Sequence, residues 1–211
     1  MKKLLTFVLA AAVVAAVAPA AFAQVPCLFF SEYGEGSSYN KFIEIYNNTG
    51  EDIDLSRIEL QLYSNGNAVA NSTDNSFTGT LAAGDVFVAC HGSSTAALLA
   101  LSDATSGTVN WNGDDAIALA LDGVIVDVFG QIGFDPGSAW TSGDVTTVNQ
   151  TLVRGSDVCC GDPVGTDEFD PAIEWIAFDV DYWSNVGLHT TNCLPVDTAP
   201  ASWGSVKGFY R

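Results

Sequence analysis

Residues 116–129 read AIALALDGVIVDVF, and this stretch decides the fold. Ile117, Leu119 and Leu121 alternate with alanines, and Val124, Val126 and Val128 alternate in the run that follows. Period-two spacing places alternate side chains on one face of a strand. Only Asp122-Gly123 separates the two runs. A two-residue Asp-Gly link is a strong hairpin signal, because Gly accepts the positive φ that a type I′ turn needs. The stretch therefore predicts two antiparallel strands, 116–121 and 124–129.

The same pattern extends outward from this hairpin. Residues 28–33 (LFFSEY) and 41–46 (KFIEIY) mix aromatic, aliphatic and charged positions. In 57–63, Ile58, Leu60 and Leu62 alternate with Arg57, Glu59, Gln61 and Tyr63. In 85–90, Val86 and Val88 oppose Phe87 and Ala89. Further strands are expected at 150–153 and 173–178. Residues 94–101 (STAALLAL) read as a helix, with Ser93 or Ser94 at its N-cap. About eight short strands separated by Gly, Asn, Asp and Ser predict an all-β antiparallel sandwich. A parallel α/β sheet is disfavoured, because amphipathic helices do not recur between the strands. Long turn-rich gaps fall at 64–80, 130–149 and 154–172, and gaps of that length are usually functional or stapled.

The chain has 211 residues, 48% of them hydrophobic and 15% charged. That suits one core-forming domain and argues against a large multi-domain enzyme or a disordered chain. With 25 acidic and 7 basic side chains, the net charge is −18. Such a surface argues against nucleic acid as a partner, since a phosphate-backbone binder needs a basic face. Lys2 and Lys3, an apolar run over 4–18 and the Ala21-Phe22-Ala23 ending read as a signal peptide over 1–23. The rest of the chain has no apolar run long enough for a transmembrane anchor. The domain is then expected over 24–193, a linker over 194–200 and a short tail over 201–211. In the tail, Trp203, Val206 and Tyr210 fall on one helical face, although so short a helix is marginal alone.

Export would place Cys27, Cys90, Cys159, Cys160 and Cys193 in an oxidising compartment. Five is odd, so at most two intrachain bridges form and one thiol is left over or pairs elsewhere. Neighbouring Cys159 and Cys160 are poorly placed to bridge each other, and one of them is expected to pair with Cys193. The remaining connectivity stays open. Zinc is a weak alternative, because no paired C-x-x-C is present and His91 and His189 are far apart in sequence.

The ordered set of motifs resembles the lamin tail domain, in the form found in secreted bacterial proteins. The stretches that carry the likeness are LFFSEYGEGSSYNKFIEIYN (28–47), DLSRIELQLYSNG (54–66), GTLAAGDVFV (79–88) and NGDDAIAL (112–119). They continue with DVFGQIGFDPGSAW (127–140), NQTLVR (149–154), FDPAIEW (169–175) and GLHT (187–190). The resemblance implies an immunoglobulin-like β-sandwich and a non-catalytic module, one of a kind appended to secreted nucleases and phosphoesterases or standing as an extracellular tether. The chain departs from the fused pattern in leaving no stretch for a catalytic partner. It also lacks the coiled-coil heptads of the eukaryotic lamin context. The ending SWGSVKGFYR (202–211) is similar to short aromatic-basic sorting or anchoring tags of exported bacterial proteins.

Several residues could carry chemistry. Asp114, Asp115, Asp135, Asp167 and Asp170 sit in turn-rich segments and offer the oxygen ligands that calcium prefers. None of these runs has the spaced acidic pattern of a calcium loop, and Asp commonly caps turns instead. No cofactor is otherwise indicated. His91 and His189 lack the nucleophile and acid of a hydrolase triad. Paired carboxylates can cleave glycosides, but nothing in the sequence separates such a pair from an acidic surface. Trp111 and Trp140 fall between strands and are the candidate binding-surface aromatics. The expected role is a secreted binding or tethering module for an extracellular protein or glycan. The alternatives are an accessory of an extracellular nuclease or phosphoesterase and a structural surface or appendage subunit.

Overall fold

A computed structural model describes residues 25–193; the expected leader, linker and tail lie outside them. In chain order the elements are β1 (Leu28–Glu35), β2 (Lys41–Asn47), β3 (Ile53–Asp54), β4 (Ile58–Tyr63), β5 (Ser72–Asp74), β6 (Thr80–Leu81) and β7 (Val86–Cys90). Then come α1 (Ala96–Leu99), β8 (Ala104–Thr105), β9 (Ala116–Leu121), β10 (Val124–Phe129), β11 (Thr141–Ser142), β12 (Val145–Thr146), β13 (Thr151–Arg154), α2 (Pro171–Glu174) and β14 (Trp175–Phe178). A larger sheet runs β14-β13-β1-β2-β7-β8 and a smaller one β10-β9-β4-β5, with two short ribbons, β11-β12 and β3-β6. Among the described strands only the two-residue β7–β8 pairing is parallel. The architecture is the expected all-β, immunoglobulin-like sandwich.

The deciding hairpin forms as the sequence predicts. Asp122 (φ 52°) and Gly123 (φ 77°) are both left-handed, as a type I′ turn requires. Ile117, Leu119 and Leu121 join Ile58, Leu60 and Leu62 in the main core. The larger sheet faces them with Leu28, Phe30, Ile43, Ile45 and Phe87. Burial of such side chains contributes about 1.5–3 kcal/mol each before chain entropy is set against it.

Two bulges change the alternation. β10 shifts register between Ile125 and Asp127, and β1 shifts between Phe30 and Glu32. An extra residue in one strand reverses which parity points inward. Val126 and Phe129 therefore enter the main core, while Val128 packs with Trp140 in a second cluster and Val124 is exposed. This corrects the shared face expected for the three valines. The expected helix over 94–101 shrinks to α1. Thr95 holds its cap position and makes no side-chain cap, and the Ser94 hydroxyl donates instead to the Tyr39 carbonyl. The strand expected over 173–178 starts only at Trp175, because residues 171–174 form α2, with Pro171 in its first turn and the Asp170 carboxylate accepting from the Ala172 N–H.

The outer face of the larger sheet is covered by a strap, residues 179–193. Asp181 accepts from the Ser37 backbone and hydroxyl, and Trp183 and Val186 pack on Phe42, Val88, Cys90 and Leu98. His189 sits edge-on to Phe29 and Tyr46. Phe42 lies so close over Gly34 that a Cβ there would stand 2.2 Å from its ring. Among the described residues, no helix is long and apolar enough to cross a membrane.

Candidate functional site

The strongest concentration of polar geometry lies where β1, β10, β13 and α2 meet. β13 pairs only with Glu32–Gly34 of β1, so the Phe30 amide has no strand partner on that side. The bulge residue Asp127 supplies one, accepting that N–H at 2.8 Å. Its other oxygen accepts from the Asp162 N–H at 2.8 Å. Arg154, at the end of β13, pairs with Asp127 at 2.5 Å and with Glu174 of α2. Its guanidinium also lies over Phe29 and Trp175, at 5.4 and 5.1 Å from the ring centroids. Burial pushes the Asp127 carboxyl upward in pKa, while Arg154 and the two amides favour its charged form. Gly161 packs against this hub; a Cβ there would stand 2.4 Å from that of Asp127.

Two disulfides close beside the hub. Cys27–Cys160 joins the start of β1 to the segment after β13. Cys159–Cys193 ties the end of the strap to the same segment. The pairing of one neighbouring cysteine with Cys193 follows the expectation, and Cys27 takes the other. Cys90 is the leftover thiol, buried under the strap with Phe42 and Leu98.

Above the hub runs a groove formed by two adjoining cavities. One, about 230 Å³, is lined by Arg154, Asp162, Asp167, Glu168, Glu174 and Trp175 among others. The second, about 310 Å³, adds Phe134, Pro136 and Trp140 and shares Glu168, Phe169 and Asp170 with the first. Phe169 stands edge-on to both Trp140 and Phe129. The Trp140 indole N–H is buried and has no hydrogen-bond acceptor. Phe134 is 49% exposed and Ile173 79%, so the rim is apolar as well as acidic.

The five calcium candidates are not gathered in one place. Asp115 is buried and accepts from the Asn112 and Asn65 amides, tying the 112–115 turn to the 64–66 turn. Asp114 lies beside it in that turn, with one carboxylate oxygen buried and unpartnered. Asp135 accepts from Gly137 in its own turn, and Asp170 caps α2. Asp167 and Asp170 line the groove. Among the described residues no group of three or more His, Cys, Asp or Glu side chains is placed to hold a metal ion.

The two tryptophans are not surface residues, which corrects the expected patch. Trp111 is fully buried, stacks on Tyr33 at 5.6 Å and donates its indole N–H to the Gly34 carbonyl. Trp140 is buried beneath the groove and contributes to its wall. His91 accepts from Ser93 within a turn and stacks on Tyr39. His189 is buried among rings, and burial lowers its pKa to about 4. Among the described residues, no side-chain hydroxyl or thiol hydrogen-bonds to either imidazole.

Sequence reasoning passed over Asp127, Arg154, Glu32 and Glu44. Glu32 and Glu44 are cross-strand partners on the larger sheet, both buried, and Glu44 meets the strap at Gly187. Glu44 accepts from the Ser31 hydroxyl and the Gly187 amide. Both Glu32 oxygens lack a hydrogen-bond partner. The signal for Asp127 was present, since a lone acid inside the apolar VIVDVF run needs a buried partner.

Sandwich, bulge-borne ion hub and stapled corner together define an immunoglobulin-like β-sandwich module. The family model of the lamin tail domain matches residues 23–133, and the chain belongs to that family. The match ends just past β10. Of the strands beyond it, β13 and β14 complete the larger sheet by pairing next to β1, and β11 and β12 form a separate ribbon. Searches of curated proteins and of solved structures return no match.

Proposed function

We propose that this chain is a secreted, non-catalytic binding and tethering module at the exterior of a bacterial cell, working without a bound cofactor on an extracellular protein or glycan. The observation that carries this reading is the pair of disulfides at Cys27–Cys160 and Cys159–Cys193. Such bridges persist where thiols are oxidised, and they suit a chain that begins with an export-type leader. Membership of a family of immunoglobulin-like domains supports a role in binding. The acidic surface disfavours nucleic acid and anionic lipid as targets.

The test is expression of the whole chain, leader included, in a bacterial host. The reading expects an exported product that lacks residues 1–23 by intact mass and has one alkylatable thiol after unfolding. A pull-down from the outer surface of the source cells, with and without calcium, then identifies the partner. A reduced, cytosolic product would overturn export. Metal-dependent cleavage of a phosphodiester by the purified protein would overturn the non-catalytic reading.

A further inference from the structure

We propose that residues 201–211 of this same chain dock into the groove above Arg154, with Lys207 and Arg211 against Asp167, Glu168 and Asp170 and aromatic side chains against Trp140 and Phe169. This does not depend on where the chain is exported or what it tethers.

Charge makes the first argument. The three Lys and Arg side chains among the described residues are all in ion pairs, Lys41 with Glu35, Arg57 with Asp122 and Arg154 with Asp127 and Glu174. Outside the leader, the sequence holds two more cations, Lys207 and Arg211, both in 201–211. The larger concentration of acid around the hub is open: Asp162, Asp167, Glu168, Asp170 and Glu174 line the cavity with one guanidinium, itself already paired. Groove and segment therefore carry opposite surplus charge, which favours encounter and register.

Composition makes the second. The segment is ASWGSVKGFYR, with Trp203, Phe209 and Tyr210 among its residues. The groove offers Phe134, Trp140 and Phe169, and aromatic pairs add about 0.5–1.5 kcal/mol beyond area burial. Trp140 lines the groove with an indole N–H that has no acceptor among the described residues, which makes its resonance a reporter of what lies there.

Reach makes the third. Cys193 is held by its disulfide with its Cα 5.5 Å from that of Cys159. Asp162, on the groove wall, follows Cys159 by three residues, at most about 11 Å of backbone. Residues 194–200 can span up to about 25 Å. The chain leaves the sandwich beside the groove with enough length to lay 201–211 across it.

Carbodiimide coupling of the chain 24–211 tests this directly. Beyond its N-terminus, the chain without leader carries two amines, Lys41 and Lys207, and Lys41 is buried against Glu35. Peptide mass spectrometry at physiological salt should find Lys207 joined mainly to Asp167, Glu168 or Asp170. Asp167→Asn with Glu168→Gln should cut that yield at least fivefold, leaving the urea-unfolding midpoint unchanged as the fold control. As a second readout on unmodified sandwich residues, Lys207→Gln with Arg211→Gln should shift the Trp140 indole N–H resonance. Coupling spread evenly to remote acids such as Asp52 and Asp85, or none at Lys207, would overturn the proposal. So would an unmoved Trp140 resonance. Mixed heavy–light products from an isotope-mixed sample would show a second copy in the groove and overturn docking in cis.

Discussion

Asp127 and Glu32 are both carboxylates in dry surroundings, 0% and 1% exposed, and the protein neutralises them by different means. Asp127 meets a guanidinium and two backbone amides. Glu32 meets no cation and no hydrogen-bond partner, and its cross-strand neighbour is another acid, Glu44. Burial, with the Glu44 charge second, pushes its pKa up to about 9. Glu32 therefore holds a proton at neutral pH. In a chain so poor in cations, these two interior acids mark the extremes: Asp127 is matched by an arginine and Glu32 by a solvent proton. The first arrangement is fixed in geometry; the second depends on pH.

The largest effect is expected from breaking the fixed arrangement. Arg154→Leu leaves Asp127 buried beside an apolar side chain and frees Glu174. Removing one partner of a buried pair typically costs about 3–5 kcal/mol, because the remaining charge stays desolvated. Urea unfolding should show that loss as a lower midpoint with little change in slope. Arg154→Lys should recover only part, since an ammonium cannot reproduce the fork between Asp127 and Glu174. A midpoint within 1 kcal/mol of wild type by this conversion would mean that the hub is not holding the two sheets together.

The protonated arrangement breaks by pH. The folded pKa of Glu32 lies above its unfolded value, so its stabilising contribution is full below about 4.5 and is lost as pH rises toward 9. Glu32→Gln removes that dependence. Between pH 5 and pH 8 the variant should gain about 2–4 kcal/mol relative to wild type, against a limiting slope of about 1.4 kcal/mol per pH unit. Parallel stability profiles for the two proteins would count against a buried proton at this position.

His189, a residue of the strap itself, works in the opposite sense. Burial, with Arg154 as a lesser cause, lowers its pKa from 6.5 to about 4. The unfolded chain binds the proton more readily, so stability falls as pH drops from 6.5 toward 4. His189→Gln should flatten that limb, sparing about 1–3 kcal/mol of acid loss. Together the two groups predict a wild-type plateau between about pH 4.5 and 6.5, with stability declining on either side.

Much of this was legible in the sequence, and the reason for the rest is specific. The Asp122-Gly123 hairpin was readable because turn chemistry and period-two alternation are local. The bulges at β1 and β10 were not, because one extra residue leaves composition unchanged while reversing the faces. The burial of Trp111 was missed because its loop folds back until the indole N–H reaches Gly34, a contact 77 residues away in sequence. The groove escaped notice for the same reason. Its walls come from 134–142 and 162–174, which read separately as acidic turns and meet only once the sandwich has formed.

Arg57 and Asp122 provide the surface end of the same comparison. Their forked ion pair has good geometry, with both Arg57 Nε and Nη2 donating to the carboxylate. Yet the two side chains are 45% and 58% exposed, so water and salt screen most of the attraction. Arg57→Gln should leave the unfolding midpoint unchanged within error, with no added sensitivity to salt. Asp122→Ala should be more costly despite removing the same pair, because Asp122 holds a left-handed φ of 52° that alanine disfavours. If the two substitutions were equally damaging, the carboxylate at the turn would be acting through its charge. If only Asp122→Ala is costly, this acid is kept for its backbone, unlike the buried pair, whose roles depend on what neutralises them.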